Sequence, residues 1–141
     1  CLRGDAHGFD VLLDGTCDDA DIAGVVRSAP AVARVYLRSA PPPAGAEQIV
    51  SSYADAAFDR FGDREIVTLG AECLAVARLG APLAQIAEAV FVSEALEHGR
   101  RGALEGAVAS CWWCALVSAR LRGVDPIEEA AAICRYVVRV A

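Results

Sequence analysis

The sequence contains no lysine, no asparagine and no methionine, and it has only two histidines. All thirteen basic residues are therefore arginines, and the net charge is −6. The codons of the three missing residues are all A/T-rich, so a GC-rich coding sequence explains their absence better than a functional demand does. An acidic chain without a basic stripe argues against nucleic-acid binding, because contacts to phosphates supply most of the affinity in such complexes.

Aromatic residues and long apolar runs are also scarce. Aromatics make up 6% of the chain although 55% of its residues are apolar, so alanine and valine supply the excess. A membrane-spanning helix needs about 20 consecutive apolar residues, and the most apolar stretch, 103–119, is interrupted by Glu105. We therefore predict no membrane span, and we expect closely packed helices with small side chains at their contacts.

Six cysteines are too few in 141 residues to suggest a disulfide scaffold. Cys73 and Cys134 fall at apolar helical positions, where a free cysteine behaves as a small hydrophobic residue. Nothing resembles a signal peptide. Together these features predict a reducing, cytoplasmic location.

The N-terminal forty residues are predicted to form a short β-α-β unit. Phe9–Leu13 is apolar and is followed by a turn signal, which indicates a strand. Asp18 and Asp19 favour the start of a helix, which would end before Pro30. Ala33–Ser39 would follow as a second strand or a short helix.

Beyond the proline-rich segment, apolar residues recur at helical spacing. Glycine and aspartate residues mark the helix ends, and the predicted helices cover about 49–60, 63–79, 82–98, 103–122 and 126 onwards. We therefore predict a mainly α protein, a bundle of five or six helices built from helical hairpins. The predicted units are an N-terminal segment at 1–40, a linker at 41–45 and a helical domain at 46–141. With so many apolar and small residues, we expect a homo-oligomer, most simply a dimer that shares the 103–140 hairpin.

The sequence Cys111-Trp112-Trp113-Cys114 joins the only CxxC to the only two tryptophans. On a helix the two cysteines share a face, with Cα atoms roughly 5 Å apart, which a disulfide permits. A reactive thiolate needs a cation, a base or a helix N-terminus nearby. Cys111 lies about two turns inside its predicted helix, beyond the reach of the helix dipole, and the tryptophans favour the neutral thiol.

Three interpretations of this pair remain open: buried core cysteines, a redox dithiol and a metal site. A zinc site would need two more ligands, and the sequence offers no second CxxC and no histidine pair. We therefore predict no metal site and no cofactor. The helical glutamates are predicted to lie on solvated faces, and they are Glu72, Glu88, Glu94, Glu97 and Glu105.

The segment from Leu79 to Val90, LGAPLAQIAEAV, and the segment from His98 to Ala103, HGRRGA, carry a family resemblance. The chain resembles the alkylhydroperoxidase D / carboxymuconolactone decarboxylase-like family. The resemblance implies an all-α, oligomeric protein, whose redox members use a CxxC, an upstream glutamate and a histidine four residues after the second cysteine. Cys111 and Cys114 would be the thiol pair and Glu105 the base, whereas Ser118 stands in the place of the histidine.

Two functions follow as hypotheses from different classes. The first is a thiol-dependent peroxidase or disulfide reductase that acts on a small molecule or a protein disulfide. The second is a non-catalytic helical interaction or structural protein with buried core cysteines. Whether the chain is an enzyme stays open at this point, and the exposure of the two sulfurs is the property that distinguishes the two functions.

Overall fold

The computed structural model describes residues 18–39 and 45–132. Six helices have both ends within these residues: α1 (Asp19–Ser39), α2 (Gly45–Ser51), α3 (Tyr53–Phe61), α4 (Arg64–Arg78), α5 (Leu83–Glu97) and α6 (Gly99–Arg122). Residues 126–132 form a further helix, α7. The described part of the chain contains no strand. The prediction of a mainly α protein is therefore confirmed.

The predicted β-α-β unit is not supported, because the segment 33–39 continues α1. The predicted start at Asp18 is confirmed: Asp18 and Asp21 cap each other, with Asp21 N donating to Asp18 Oδ1 at 2.8 Å. Pro30, however, lies inside the helix and is buried. A proline in a helix interior costs about 3 kcal/mol, and burial of a long apolar face on both sides of Pro30 offsets this cost. The predicted strand at Phe9–Leu13 lies outside the described residues.

The predicted count of five or six helices is wrong, since the described residues contain seven. The additional helix arises at Ser52, where the segment predicted as one helix separates into α2 and α3. The Ser52 hydroxyl donates to the carbonyl of Gln48 at 2.7 Å. In addition, Trp113 Nε1 donates to the carbonyl of Ile49 at 2.6 Å, which satisfies an acceptor at the end of α2. This break depends on a side chain 64 positions away in the sequence.

Most other helix ends follow the predicted local signals. Gly62 and Gly123 close α3 and α6 in the left-handed conformation, with φ of 67° and 69°, which glycine adopts without strain. Asp63 caps α4 by accepting from Glu65 N at 2.8 Å. Asp125 similarly accepts from Ile127 N at 2.9 Å at the start of α7. The division of the chain at 41–45 stays a prediction, because residues 40–44 lie outside the described ranges.

The long helix α6 forms the centre of the fold and packs against α1, α2, α3, α4 and α5. Among the described helices, α6 is the one whose length and composition would allow it to cross a membrane. However, 67% of its most apolar 18-residue stretch is buried inside the protein. A buried core helix has this composition too. Gly106 permits the close approach of α4, since a Cβ there would lie 2.7 Å from Leu69 Cδ1. Thus α6 positions the CxxC within the interior of the helical bundle.

Candidate functional site

Cys114 lies on the face of α6 that points into the core. Its side chain is 0% exposed and packs with buried residues of α2, α3 and α4. Burial raises the pKa of the Cys114 thiol, and the neighbouring Cys73 raises it further. A thiol must lose its proton to act as a nucleophile. Cys114 is therefore a neutral packing group at physiological pH.

Cys73 of α4 is a second buried thiol near this position. Burial raises the pKa of Cys73 to about 12, although a hydrogen bond with Ser110 lowers it in part. Cys73, Cys111 and Cys114 are all free thiols. Among the described residues, no group of three or more histidine, cysteine, aspartate or glutamate side chains is arranged to hold a metal ion.

Cys111 differs from the other two because its side chain is only partly buried. Its Sγ donates to the carbonyl of Ala29 in α1, at 3.5 Å. Cys111 is nevertheless the member of the CxxC pair that an external reagent can reach.

Glu105, the predicted base, does not lie beside the two cysteines. Because a helix turns by about 100° and rises about 1.5 Å per residue, Glu105 and Cys114 are on opposite faces of α6 and roughly 13 Å apart along its axis. Glu105 instead accepts a 2.8 Å hydrogen bond from Arg101 Nε. Its side chain is 16% exposed, so it is less solvated than the sequence predicted.

Ser118, at the position where the predicted resemblance calls for a histidine, has a structural partner that the sequence did not indicate. Its buried hydroxyl donates to Glu129 Oε1 of α7 at 2.6 Å. Glu129 itself is only 7% exposed, and Arg122 Nε lies 3.7 Å from the same carboxylate oxygen. Ser118 therefore joins α6 to α7, a role unrelated to activation of a thiol.

A second polar region lies where α4 meets the end of α5. It surrounds a cavity of about 310 Å³, whose charged lining residues are Arg64, Glu65, Glu72, Glu94, Glu97 and His98. His98 is located between α5 and α6, next to Gly99, as predicted. Its Nδ1 lies 3.2 Å from Glu65 Oε2. Neither cysteine of the CxxC lines this cavity.

The glutamates around this cavity were predicted to be solvated, and Glu72 departs from that prediction. Glu72 is only partly exposed, and its Oε2 is buried without a hydrogen-bond partner. Burial raises the pKa of Glu72, and the nearby carboxylate of Glu94 raises it further, while His98 acts in the opposite direction. Sequence spacing places Glu72 and Glu94 on different helices, so only the packing of α4 on α5 could bring them together.

No known protein family, no curated protein and no solved structure matches this chain. The resemblance to the alkylhydroperoxidase D-like family therefore stays a prediction.

The burial of the thiols predicts a definite order of chemical labelling. In the native protein, a chromogenic disulfide should modify Cys111 slowly, whereas Cys73 and Cys114 should react only after unfolding, since both are buried and protonated. Peptide mapping by mass spectrometry after short labelling times would assign each modified site. Native-state labelling of Cys114 as fast as that of Cys111 would contradict this prediction.

Proposed function

We propose that this chain is a non-catalytic helical interaction protein that assembles with a second copy of itself through the outer face of α5. The observation that carries this proposal is the exposure of large apolar side chains on that helix. Leu83, Ile86 and Val90 are 62%, 66% and 51% exposed. Their spacing of three and four residues places them on one face of α5.

Over residues 83–93 the outer face of α5 carries no charge, and Glu97 lies on this face only in the last turn of the helix. Ala89 and Ser93 are exposed and complete the face defined by the three large residues. The opposite side of α5, with Ala84, Phe91 and Ala95, is buried in the core. Large apolar side chains on the exposed side of a helix are typical of a contact surface for a partner, and in the single chain the covered side of α5 is the one that contains Ala84, Phe91 and Ala95.

A second copy of the chain fits this face for electrostatic and geometric reasons. At a net charge of −6, most surfaces of two copies repel each other, and the uncharged part of this face, residues 83–93, reduces that repulsion. A two-fold interface uses the same patch twice, and small residues such as Ala89 and Ser93 let two helices approach closely. Stable dimers bury about 800 Å² on each partner. A single helix face supplies only part of this area, so we expect a weak dimer.

This interface differs from the predicted hairpin at 103–140. The described apolar side chains of α6 are largely buried within the chain itself, including Leu104, Trp112 and Val117. They are already packed in the core, whereas those of α5 are available. We therefore place the proposed interface on α5.

The burial of the cysteines supports the non-catalytic part of the proposal. Cys114 is inaccessible, and Glu105, the predicted base, lies on a different face of α6 and pairs with Arg101. The second candidate function is the thiol-dependent reductase, which the partial exposure of Cys111 favours. In that function Cys111 would attack the substrate, and Cys114 would have to become accessible in order to form the disulfide.

Replacement of Ile86 by Glu tests the proposed interface. We expect the wild-type protein to sediment as a reversible dimer in the micromolar range and the Ile86→Glu variant as a monomer, because burial of an unpaired carboxylate is costly. Circular dichroism should show the same helix content, since Ile86 is exposed in the single chain.

Phe58→Glu is the matched control, because Phe58 is a large exposed apolar residue of α3, at 45% exposure. This variant should remain a dimer. A monomeric wild-type protein throughout the micromolar range would contradict the proposal, and so would equal dissociation of the two variants.

A further inference from the structure

The second polar region contains a carboxyl pair that the proposed interface does not use. Glu72 projects from α4 and Glu94 from α5, and both line the cavity of about 310 Å³ between these helices. One oxygen of Glu72 is buried without a partner. An unpaired carboxylate oxygen away from water is costly, whereas a protonated carboxyl can donate a hydrogen bond to a second carboxylate.

Four carboxylates line this cavity, whereas its basic lining residues are Arg64 and His98. His98 lies next to Glu65, with 3.2 Å between Nδ1 and Oε2. Glu97 also lines the cavity, from the last turn of α5.

The surrounding helices supply further charged groups, and Arg34 of α1 pairs with Glu88 of α5 at 2.9 Å. On α6, Arg101 pairs with Glu105 at 2.8 Å, beside an adjacent cavity that Asp63 also lines. Arg100 pairs with Asp19 of α1 at 3.2 Å. Among the described residues, α3 contributes none to the lining of either cavity. The cavity lining around Glu72 and Glu94 therefore carries more acidic than basic side chains.

We propose that Glu72 and Glu94 form a pH-sensitive clamp between α4 and α5. In mildly acidic solution, one proton taken up from solvent is shared by the two carboxyls, and the resulting hydrogen bond holds the helices together. At higher pH this proton returns to solvent, the two carboxylates repel each other, and α5 opens from α4 more often.

The direction of the pH effect follows from linkage. The pKa of Glu72 is raised in the folded protein, by burial and by Glu94. The protonated carboxyl is therefore favoured by folding, and its contribution to stability is fully present below the ordinary pKa of glutamate. That contribution is lost as the pH rises through the folded pKa. A carboxylate held in an ion pair shows the opposite dependence, because its contribution to stability is lost as the pH falls.

Hydrogen exchange of the α5 amides, corrected for intrinsic exchange rates, tests the clamp. We expect their protection to fall from mildly acidic to mildly alkaline solution, because the pKa of Glu72 is raised above the ordinary value of a glutamate. In Glu72→Gln this fall should be lost, with protection high throughout, because the amide donates a hydrogen bond at every pH. Glu47→Gln, a matched change on α2, should retain the wild-type fall.

Two results would overturn the clamp: protection of α5 that does not change with pH in the wild-type protein, or the same fall in Glu72→Gln as in the wild type. Sedimentation at both pH values distinguishes opening of α5 from dissociation of the proposed dimer. A loss of protection at constant sedimentation coefficient supports the clamp. A loss that appears only together with dissociation would assign the effect to the interface instead.

Discussion

Replacement of Gly70 by Ala is expected to destabilise the protein by about 2–4 kcal/mol. A Cβ at Gly70 would lie 1.8 Å from Tyr53 Oη and 2.7 Å from Tyr53 Cζ, which is far inside contact distance. Tyr53 is a buried core residue, and its hydroxyl donates to the carbonyl of Val67 at 3.1 Å. The ring would have to move, which costs about 1–3 kcal/mol of packing and about 1 kcal/mol for the hydrogen bond.

Urea denaturation followed by circular dichroism would measure this loss. Gly24→Ala is the matched control, because Gly24 also lies inside a helix but has nothing within 4 Å of its Cβ position. That variant should be more stable than the wild type by about 0.5–1 kcal/mol, since alanine is the better helix former. Equal effects of the two substitutions would show that the contact between α3 and α4 is looser than the structure indicates.

Replacement of Trp112 by Ala should cost about 3–5 kcal/mol, the range for a large aromatic residue removed from a core. Trp112 is only 9% exposed. Its ring forms an edge-to-face contact with Phe61, with the ring centroids 5.5 Å apart. It also lies tilted against the ring of Trp113, at a centroid distance of 5.8 Å. Small domains have a total stability of about 5–15 kcal/mol, so this single change would remove a large part of it.

Urea titration of the wild type and of Trp112→Ala would measure the difference between their free energies of unfolding. Phe58→Ala is the control, because this aromatic residue is largely exposed and its truncation should cost much less. Trp113 remains in the variant as a fluorescent reporter of the native core. A loss below about 1 kcal/mol for Trp112→Ala, in the range of surface substitutions, would contradict the buried position of this ring.

Helix ends were the most predictable part of the fold, since their causes are local. Asp63 and Asp125 bond to amides two or three residues away, and Gly62 and Gly123 adopt a conformation that few other residues tolerate. The end predicted at Pro30 was wrong for the opposite reason. There, burial of the whole of α1 against α4 and α6 outweighed the local cost of proline, and the sequence near Pro30 does not show this burial.

The candidate site was less predictable. The sequence predicted that Cys111 and Cys114 lie on one helix, and the structure places both on α6. Their accessibility depends on which side of α6 the other helices cover, and spacing along the chain carries no information about this. The same holds for Ser118, whose partner Glu129 comes from the next helix, and for the burial of Glu72.

The sequence by itself therefore determined the mainly α class, most helix boundaries and the acidic, lysine-free surface, because periodicity, capping and charge are properties of neighbouring residues. Tertiary structure alone decided that Cys114 is fully buried and Cys111 only partly buried, that Glu72 and Glu94 line the same cavity, and that α5 presents large apolar side chains to solvent. Each of these depends on contacts between helices distant in the chain. Such contacts form where the summed burial of whole helix faces is most favourable, and no single residue determines that sum.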